Sequence, residues 1–272
     1  CCYSQAATRI IYGEDSRTDV KNIYNAKLRD ISKSVAGRID NYAINHLSTN
    51  PNSVSFEQIL KLSHPRSLNV CEDEKFANQP TVADCTGFLV ADNLLVTAGH
   101  CAVRMGQTVR NKSTFSCDSH SWIFDYKMGS SSSPLDLKRY PSDKIYSCKK
   151  VIYGTWQEDD DYAIIELDRK VVGRTPLKMN TKRNIKAGTD LFIMGHPSGL
   201  PLKYAEGAKS FEITENYFTT NLDSFGGNSG SPVFNKKSLE VEGILVRGDV
   251  DYVEEIQNDG SSCTRVNKCD DN

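Results

Sequence analysis

Apolar and polar positions divide the chain into two parts of different character. Up to about residue 70 the sequence is polar and mixed, and only residues 25–39 have apolar spacing that predicts a short helix followed by a strand. From about residue 85, short runs rich in β-branched and aromatic residues recur between turn residues. These runs are residues 86–90, 93–98, 121–128, 144–153, 162–167, 190–195, 216–222, 231–234 and 241–248. Many short strands separated by turn signals predict an all-β sandwich or barrel.

The connecting segments agree with this pattern. Residues 45–55 and 129–136 are rich in Ser, Asn, Pro and Gly, which predicts surface loops. Residues 254–272 are polar and irregular and contain no recognisable closing helix.

Composition and charge narrow the class of protein. A chain of 272 residues can form one large domain or two small ones with a real core. Its apolar content is 38%, its charged content 25% and its formal net charge −2, so no basic excess indicates nucleic acid or an anionic membrane as a partner. No apolar run approaches the ~20 residues that a transmembrane helix needs.

Cysteine usage points to an oxidising compartment. The chain has nine cysteines and none is in a C-x-x-C pair, which disfavours zinc ribbons and thioredoxin-like sites and favours disulfides. We therefore expect a secreted, periplasmic or cell-surface protein. The first residues, CCYSQAATR, lack a methionine and a signal peptide, and two interpretations of Cys1 stay open: a lipid-attachment site or an arbitrary start.

The stretch FGGNSGSPVF, residues 225–234, is the first candidate for chemistry. It is typical either of an ordinary surface turn or of a loop that exposes a nucleophilic serine, Ser229, among free backbone N–H groups. A serine hydroxyl is a weak nucleophile that needs an adjacent base, a group to orient that base, and N–H donors for the developing oxyanion. The rest of the chain must therefore supply these partners.

Among the five histidines, one stands in a context that suits a catalytic base. His100 in LLVTAGHC follows a strand-like run and is preceded by two small residues. We expect structural or solvated roles for His46, His64 and His120. His196 in MGHPSG is expected to shape a loop.

The orienting acid is expected in the run EDDDYAIIELDR, residues 158–169. Asp161 directly precedes the apolar segment, so a partly buried carboxylate can face the imidazole from there. Asp159 and Asp160 are expected to be solvated loop charges. A calcium site built from this run is disfavoured because the EF-hand ligand spacing is absent.

Taken together, these motifs resemble a known family. His100 in TAGHC, Asp161 in DYAII and Ser229 in GNSGSP match the three catalytic motifs of the chymotrypsin-like serine peptidases, in that family's His–Asp–Ser order. The resemblance covers roughly residues 80–250. GNSGSPVFN, IIYGEDSRTDV and MGHPSGLP make it closest to the bacterial glutamyl-endopeptidase branch.

The resemblance implies a fold of two six-stranded antiparallel β-barrels with an N-terminal extension. Residues 1–70 would be the extension, residues 71–172 the first barrel with the His and Asp, and residues 173–272 the second barrel with the Ser and the specificity pocket. It implies a monomer that acts on protein or peptide substrates and uses no metal or cofactor.

It also implies roles for other residues. Gly227 and Ser229 would supply the oxyanion-hole N–H groups, and Val246, Arg247 and Gly248 would form the strand that pairs with substrate. Asp223 lies six residues before the nucleophile, where trypsins place the aspartate of the pocket floor.

Specificity and activation follow less directly from the family. A carboxylate at Asp223 favours Arg or Lys before the scissile bond, whereas Arg247 and the branch resemblance favour Glu, and the sequence expectation leans to Arg or Lys. TRIIYG suggests zymogen cleavage after Arg9 to free Ile10. In trypsins the new amine pairs with an aspartate just before the nucleophile, where this chain has the uncharged Asn228.

Members of this family frequently have a disulfide from the strand before the catalytic histidine to the cysteine just after that histidine. The resemblance therefore predicts the pair Cys85–Cys101. Further expected pairs are Cys117–Cys148 and Cys263–Cys269, while Cys71 is an alternative partner for Cys85 or Cys101. Nine is an odd number, so one thiol lacks a partner, and Cys1 and Cys2 are the candidates.

Two other classes compete with an active peptidase. A catalytically silent relative would use the same cleft to bind proteins or peptides, but such relatives usually lose a triad residue. A serine esterase or lipase would place G-x-S-x-G on a strand–helix elbow in an α/β pattern, which the β-rich surroundings do not match.

Overall fold

The structure, a computed structural model, describes residues 11–47, 49–57, 59–158 and 160–269. Within these ranges two short helices occur, α1 Ala26–Ser32 and α2 Phe115–Ser119. No helix among these residues is long and apolar enough to cross a membrane. Single 3-10 turns are Val20–Asn22, Asn41–Ala43, Gly99–Cys101, Ser142–Lys144 and Pro197–Gly199.

Most of the described chain is in strands or in the short loops between them. The strands in chain order are β1 Ile11–Tyr12, β2 Thr18–Asp19, β3 Val35–Asp40, β4 Ile44–His46, β5 Ser53–Phe56, β6 Leu60–Lys61, β7 Pro80–Thr81, β8 Cys85–Ala91, β9 Leu94–Thr97, β10 Thr108–Lys112, β11 His120–Phe124, β12 Tyr140–Pro141, β13 Ile145–Trp156, β14 Asp161–Leu167, β15 Asp190–Gly195, β16 Lys203–Ile213, β17 Phe218–Thr220, β18 Pro232–Asn235, β19 Val241–Ile244, β20 Tyr252–Ile256, β21 Ser262–Val266 and β22 Lys268–Cys269. The prediction of an all-β fold is confirmed.

Six of these strands close into a barrel. They follow the order β13-β11-β3-β8-β9-β14, and pairing of β14 with β13 completes the ring, while β10 adds to the outside edge of β13. Alternate side chains of β14 point into the barrel and are buried, as the period of two requires. Trp122, Leu95, Val151 and Ile165 are among the side chains that fill its interior.

The second sheet also has six strands. Its order is β17-β16-β15-β18-β19, with β2 paired to β16. One face buries Leu191, Ile193 and Val233. No pairing among the described strands closes this sheet, so a second closed barrel stays a prediction.

A shared apolar cluster joins the two sheets. Val35, Phe88 and Val96 come from the barrel, and Phe192 and Phe234 come from the second sheet. The two phenylalanine rings stack with their centroids 4.6 Å apart. The two sheets therefore bury a common face, which fixes the elements at their junction.

The N-terminal segment is more deeply integrated than a separate extension. The predicted helix and strand in residues 25–39 correspond to α1 and β3. However, β3 is one of the six strands that form the barrel wall, between β11 and β8. The barrel therefore does not begin at residue 71 as expected, because the ring includes β3, whose Val35, Ala36 and Ile39 are buried. The boundary between residues 172 and 173 stays a prediction.

A buried ion pair joins β2 to the neighbouring strand β16 within the second sheet. Lys203 Nζ donates to Asp19 Oδ1 at 2.7 Å, and both side chains are buried. Burial lowers the pKa of Lys203 to about 8, although Asp19 opposes this shift. Lys203 Nζ also donates to Gln79 Oε1 and to the Pro201 carbonyl, which supplies the hydrogen bonds that a buried cation requires.

Three disulfides are present in the described part of the chain. Cys85–Cys101 and Cys117–Cys148 are the pairs expected from the sequence. The third is Cys71–Cys263, so the expected pair Cys263–Cys269 is wrong, as is the alternative of Cys71 bonding to Cys85 or Cys101. Cys1 and Cys2 lie outside the described residues.

The packing of the C-terminal region explains the third disulfide. Residues 254–272, expected to be irregular, include most of the hairpin β20–β21. Next to β21, Thr264 N donates to the Asn69 carbonyl at 2.8 Å and Cys71 N donates to the Thr264 carbonyl at 3.0 Å. This alignment places Cys71 beside Cys263, a contact that local sequence spacing does not show.

Removing Cys71–Cys263 by a double alanine substitution should destabilise the protein more than removing Cys117–Cys148. The bonded residues are 192 and 31 positions apart, so the unfolded chain loses more entropy through the longer loop. The chain-entropy model gives upper limits to the stabilisation of about 5 kcal/mol for Cys71–Cys263 and about 4 kcal/mol for Cys117–Cys148. Urea unfolding at neutral pH measures both free energies, and a larger loss in the Cys117–Cys148 variant would contradict this order.

Candidate active site

The candidate base sits on a tight turn at the end of a barrel strand. β9 ends at Thr97, and His100 lies in the turn Gly99–Cys101. A Cβ atom on Gly99 would stand 1.8 Å from the Thr155 carbonyl oxygen, so a larger residue would push the turn away from β13. The small residue before the histidine thus lets the imidazole approach the neighbouring strand.

Asp161 holds that imidazole at two points. It begins β14 opposite Trp156, and its side chain is 5% exposed, against 24% for His100. Asp161 Oδ1 accepts the His100 backbone N–H at 2.8 Å, and Oδ2 lies 2.8 Å from His100 Nδ1. Because a carboxylate accepts at Nδ1, the proton of the neutral ring lies there and Nε2 keeps its lone pair.

The surroundings separate Asp161 from the other acids of its run. Asp160 is exposed, as expected of a loop charge, and Asp159 lies outside the described residues. The Trp156 ring lies 5.7 Å from the His100 ring, centroid to centroid. The two rings are tilted by 56° to each other, so the indole packs beside the imidazole.

The residue after the histidine is anchored on two sides. Cys101 is bonded to Cys85 at the start of β8. Its carbonyl accepts from Arg38 Nη1 and, at 2.5 Å, from Ser116 Oγ. Arg38 is in turn held by a two-point contact with Asp84 at 2.7 and 2.8 Å.

The charge of that supporting aspartate is secure at neutral pH. Partial desolvation of this half-exposed carboxylate opposes ionisation, but hydrogen bonds from His120 and Arg38 outweigh it and lower the pKa of Asp84 to about 2. The Arg38–Asp84 contact therefore persists over the whole range in which a histidine base can work.

The glycine-rich turn docks onto the barrel next to the histidine strand. Thr86 N donates to the Ser229 carbonyl at 2.8 Å, and Thr86 Oγ1 donates to the Gly227 carbonyl at 2.8 Å. Gly230 has φ +87°, and a Cβ atom there would lie 2.1 Å from the Thr86 carbonyl oxygen and 2.8 Å from Ala98 N. The turn thus approaches the barrel backbone two residues before His100.

Ser229, the expected nucleophile, and the expected oxyanion donors are partly accessible or have unpaired N–H groups. Ser229 is half-buried, and its Oγ makes no hydrogen bond with His100 among the described residues. In free enzymes this contact is frequently long and tightens when substrate binds. The N–H groups of Gly227, at φ +88°, and Ser229 have no hydrogen-bond acceptor in the described part of the chain, so both can receive an oxyanion.

The expected substrate-pairing strand follows β19. Val246 packs against the Cys85–Cys101 disulfide, whereas Arg247 and Gly248 are exposed. The only hydrogen bond of the Arg247 guanidinium among the described residues goes to the Glu158 carbonyl. This segment leaves backbone groups accessible beside the turn.

Asp223 does not stand open as the floor of a pocket. It is 5% exposed, and its Oδ2 accepts from Ser16 N at 2.8 Å and from Ser16 Oγ at 2.6 Å. Its charge is therefore turned toward the N-terminal segment. Sequence reasoning missed Ser16, because the two residues are 207 positions apart and no local pattern joins them.

A second acid close to the turn was also missed. Asp251 Oδ2 accepts the Gly226 N–H at 2.7 Å, next to Gly227, one of the expected oxyanion donors. Burial raises the pKa of Asp251 to about 6, partly opposed by the Gly226 hydrogen bond. No motif marks this residue, which lies in the loop before β20.

The other histidines take structural places. His46 is exposed, His64 accepts the Arg66 N–H within its own loop, and His120 contacts Ser119 and, with Nε2 3.4 Å from Oδ2, Asp84. His196 is 1% exposed, so it shapes its loop rather than lining a cleft; its Nδ1 lies 2.9 Å from the Leu200 carbonyl. Burial lowers the pKa of His196 to about 4.

One grouping has the composition of a metal site but not its chemistry. Ligand atoms of Cys85, His100 and Cys101 lie within 4.8 Å of one another. Both sulfurs belong to the disulfide, whereas a metal would need thiolates.

Fold and site together define a β-barrel protein with a paired His and Asp beside a glycine-rich serine turn. The profile of the family described as the trypsin-like peptidase domain matches residues 85–244, more than half of the chain. The chain therefore belongs to that family, and the resemblance seen in its motifs is confirmed.

Individual relatives agree with the glutamyl-endopeptidase branch. A glutamyl endopeptidase of Bacillus licheniformis is 26% identical over 169 residues, which cover 58% of this chain and 47% of the relative. The chain thus spans about half the length of that relative.

Two solved structures are also similar. That of a Glu endopeptidase in complex with MPD is 17% identical, covers 95% of this chain and 93% of that chain, and has a TM-score of 0.47. That of Vibrio cholerae VesB protease is 14% identical, covers 95% and 64%, and has a TM-score of 0.46.

Replacing Asp251 with Asn should stabilise the protein at pH 7 but not at pH 4. The folded-state pKa of about 6 lies above the ordinary value of 3.8, so ionisation costs the folded state stability as the pH rises between these values. The cost is complete above about pH 6 and reaches up to about 3 kcal/mol at 1.36 kcal/mol per pH unit. Asn keeps an acceptor for Gly226 and avoids that cost.

Urea unfolding of wild type and variant at pH 4, 5, 6 and 7 measures this difference. Glu254→Gln, which removes an exposed carboxylate that does not act on Asp251, is the control, and its stability should differ from that of the wild type by a nearly constant amount across this range. A constant difference between wild type and Asp251→Asn across the range would contradict the prediction.

Proposed function

We propose that this protein is a serine endopeptidase that hydrolyses peptide bonds through an acyl-enzyme formed on Ser229. The observation that supports it most is the double contact of Asp161 with His100, with both distances 2.8 Å, on a turn against which the Ser229 turn docks. Family membership supports the same activity.

In the proposed mechanism, His100 Nε2 takes the proton of Ser229 Oγ as the oxygen attacks the scissile carbonyl carbon. The same proton is then given to the leaving amine, and the acyl group stays on Oγ. A water, deprotonated by His100, attacks the acyl carbon and releases the acid, and the proton returns to Ser229 Oγ. Asp161 keeps the ring oriented and stabilises its charged form.

Electrostatic stabilisation would come from the turn itself. The unpaired N–H groups of Gly227 and Ser229 are the proposed donors to the tetrahedral oxyanion. Loss of one donor of this kind costs about 3 to 4 kcal/mol of barrier. Substrate backbone would add to the exposed segment Val246–Gly248 as an antiparallel strand.

The residue preferred before the scissile bond depends on which charge substrate meets. The expectation of Arg or Lys depended on Asp223, but Ser16 covers that carboxylate. Arg247 is exposed and uses a single hydrogen bond, so its charge remains accessible to an acidic side chain. The similarity to a glutamyl endopeptidase supports the same choice. We therefore expect Glu to be preferred over Arg and Lys at the position before the scissile bond.

We also propose an oxidising location, secreted or periplasmic. Three disulfides support it. The proposed cleavage after Arg9 and the lipid anchor at Cys1 concern residues outside the described part of the chain.

A serine-directed fluorophosphonate should add one adduct to the wild type and none to Ser229→Ala, measured by intact mass. Asp161→Asn should lower kcat on a peptide substrate about 10^4-fold at neutral pH, because the imidazole would take the wrong tautomer. Asp160→Asn removes an exposed charge next to it and should react like the wild type.

The same experiment separates the competing classes. No adduct on folded wild type, before and after cleavage at Arg9, would sink the enzyme proposal and leave the silent peptide-binding relative. The lack of a hydrogen bond between Ser229 and His100 is compatible with both a free enzyme and a silent relative, so the labelling result decides between them. Labelling with turnover of esters but not of amides would favour an esterase.

Peptides that differ only before the scissile bond should be cleaved fastest with Glu, ahead of Gln, Arg and Lys. Arg247→Gln should lower kcat/KM for the Glu peptide about tenfold and leave kcat/KM for the Gln peptide unchanged. Only the Glu peptide carries a negative charge that can interact with the guanidinium. Fastest cleavage after Arg or Lys, reduced by Asp223→Asn, would instead restore the sequence expectation.

A further inference from the structure

Arg17 is a buried cation that the catalytic motifs do not involve. Its side chain is 1% exposed and that of its partner Asp15 is 9% exposed. Arg17 Nε donates to Asp15 Oδ1 at 2.9 Å and Nη2 donates to Oδ2 at 2.7 Å. Burial raises the pKa of Asp15, but the hydrogen bonds and charge of Arg17 outweigh this and lower it. The pair therefore stays ionised together.

The planar face of this guanidinium covers an aromatic ring of the serine-bearing loop. Arg17 Cζ lies 3.8 Å from the centroid of the Phe225 ring, within cation–π distance. The Tyr252 ring contacts Phe225 as well, with 5.5 Å between centroids. Phe225 is 3% exposed, so its ring is fixed between the N-terminal segment and the C-terminal hairpin.

From Phe225 the contact continues to the nucleophile along the backbone. The Phe225 carbonyl accepts the Asn228 N–H at 2.9 Å, which closes the turn that ends at Ser229. Asn228 is buried and uncharged, so its side chain offers no carboxylate for an ion pair. The position of the two oxyanion N–H groups thus depends on where Phe225 is held.

The neighbours of Arg17 and Phe225 hold the same loop. Ser16 bonds Asp223 with two hydrogen bonds, and Asp251 accepts from the Gly226 N–H. The N-terminal segment and the loop before β20 therefore fasten consecutive parts of the loop from both sides.

We infer that Arg17, held by Asp15, is a positioning residue that fixes Phe225 and thereby sets the oxyanion donors of Gly227 and Ser229. The inference rests on the proposed peptidase function. Arg17 does not bind substrate in this role, because it is buried and its charge is neutralised by Asp15. Its effect is on the transition state, where the oxyanion forms.

Arg17→Met tests the role, since Met keeps an apolar stem beside Phe225 and removes the guanidinium. We expect kcat and the rate of fluorophosphonate labelling to fall ten- to one-hundred-fold with KM nearly unchanged, because the oxyanion contact exists only in the transition state. Arg17→Lys, which restores a charge without the planar fork, should recover part of the rate.

The chain offers a closely matched control in Arg174. It also pairs with an aspartate, Asp125, at 2.7 Å, is 5% exposed, and lies over Phe124 with 4.8 Å to the ring centroid. Arg174→Met thus loses a buried ion pair and a cation–π contact in the barrel, away from the serine turn. It should lower the unfolding midpoint as Arg17→Met does and leave kcat at the wild-type value.

Phe225→Leu provides an independent variant if Arg17→Met does not fold. It keeps the Asp15 pair and removes only the ring, so it should show the same loss of kcat. The double variant should be no worse than either single variant, because both remove one contact.

The outcomes distinguish failure of this inference from failure of the proposed function. If wild type and Arg174→Met label at Ser229 and Arg17→Met or Phe225→Leu labels equally fast, the positioning role is overturned and the peptidase stands. A wild type that never labels overturns the peptidase and this role together. A fall in kcat equal in Arg17→Met and Arg174→Met would show a merely structural effect and also overturn the role.

Discussion

The hydrogen bonds of Thr86 hold together the parts on which the site depends. This fully buried residue of β8 donates from its backbone to Ser229 and from its hydroxyl to Gly227. Its carbonyl accepts from Thr97 Oγ1 at 2.6 Å, at the end of the strand that leads to the histidine. Its hydroxyl also accepts the His196 N–H at 3.0 Å, from the end of β15. The backbone and hydroxyl of one residue therefore hold the serine turn of the second sheet against the strand that leads to the histidine turn of the barrel.

The sequence was sufficient for features whose cause is local. His100 could be singled out because it follows an apolar run and Asp161 because it directly precedes one, and the structure pairs them. The helix and strand in residues 25–39 were visible for the same reason, since periodicity is a property of neighbouring positions. The all-β class followed from the recurrence of short runs between turns.

What could not be predicted depends on residues far apart in the chain. Cys71 and Cys263 are separated by 192 positions, and only the docking of β21 against residues 69–71 brings them together. Ser16 and Asp223 meet for a similar reason, and their contact changed the expected role of the acid. The placement of β3 inside the barrel is also a topological fact, because a strand pattern does not state which neighbours it will have.

The partner of the Asp161 carboxylate differs in kind from the partners of three other aspartates in the fold. Asp15, Asp19 and Asp125 each accept from a lysine or an arginine at a nitrogen–oxygen distance of 2.7 Å. Asp161 instead lies against the imidazole of His100, a side chain of the kind that can accept and donate a proton in catalysis. The first kind of pair fixes position. In the second kind, the Asp161 carboxylate lies beside an imidazole that becomes positively charged when it accepts a proton. The proposed peptidase mechanism uses this property.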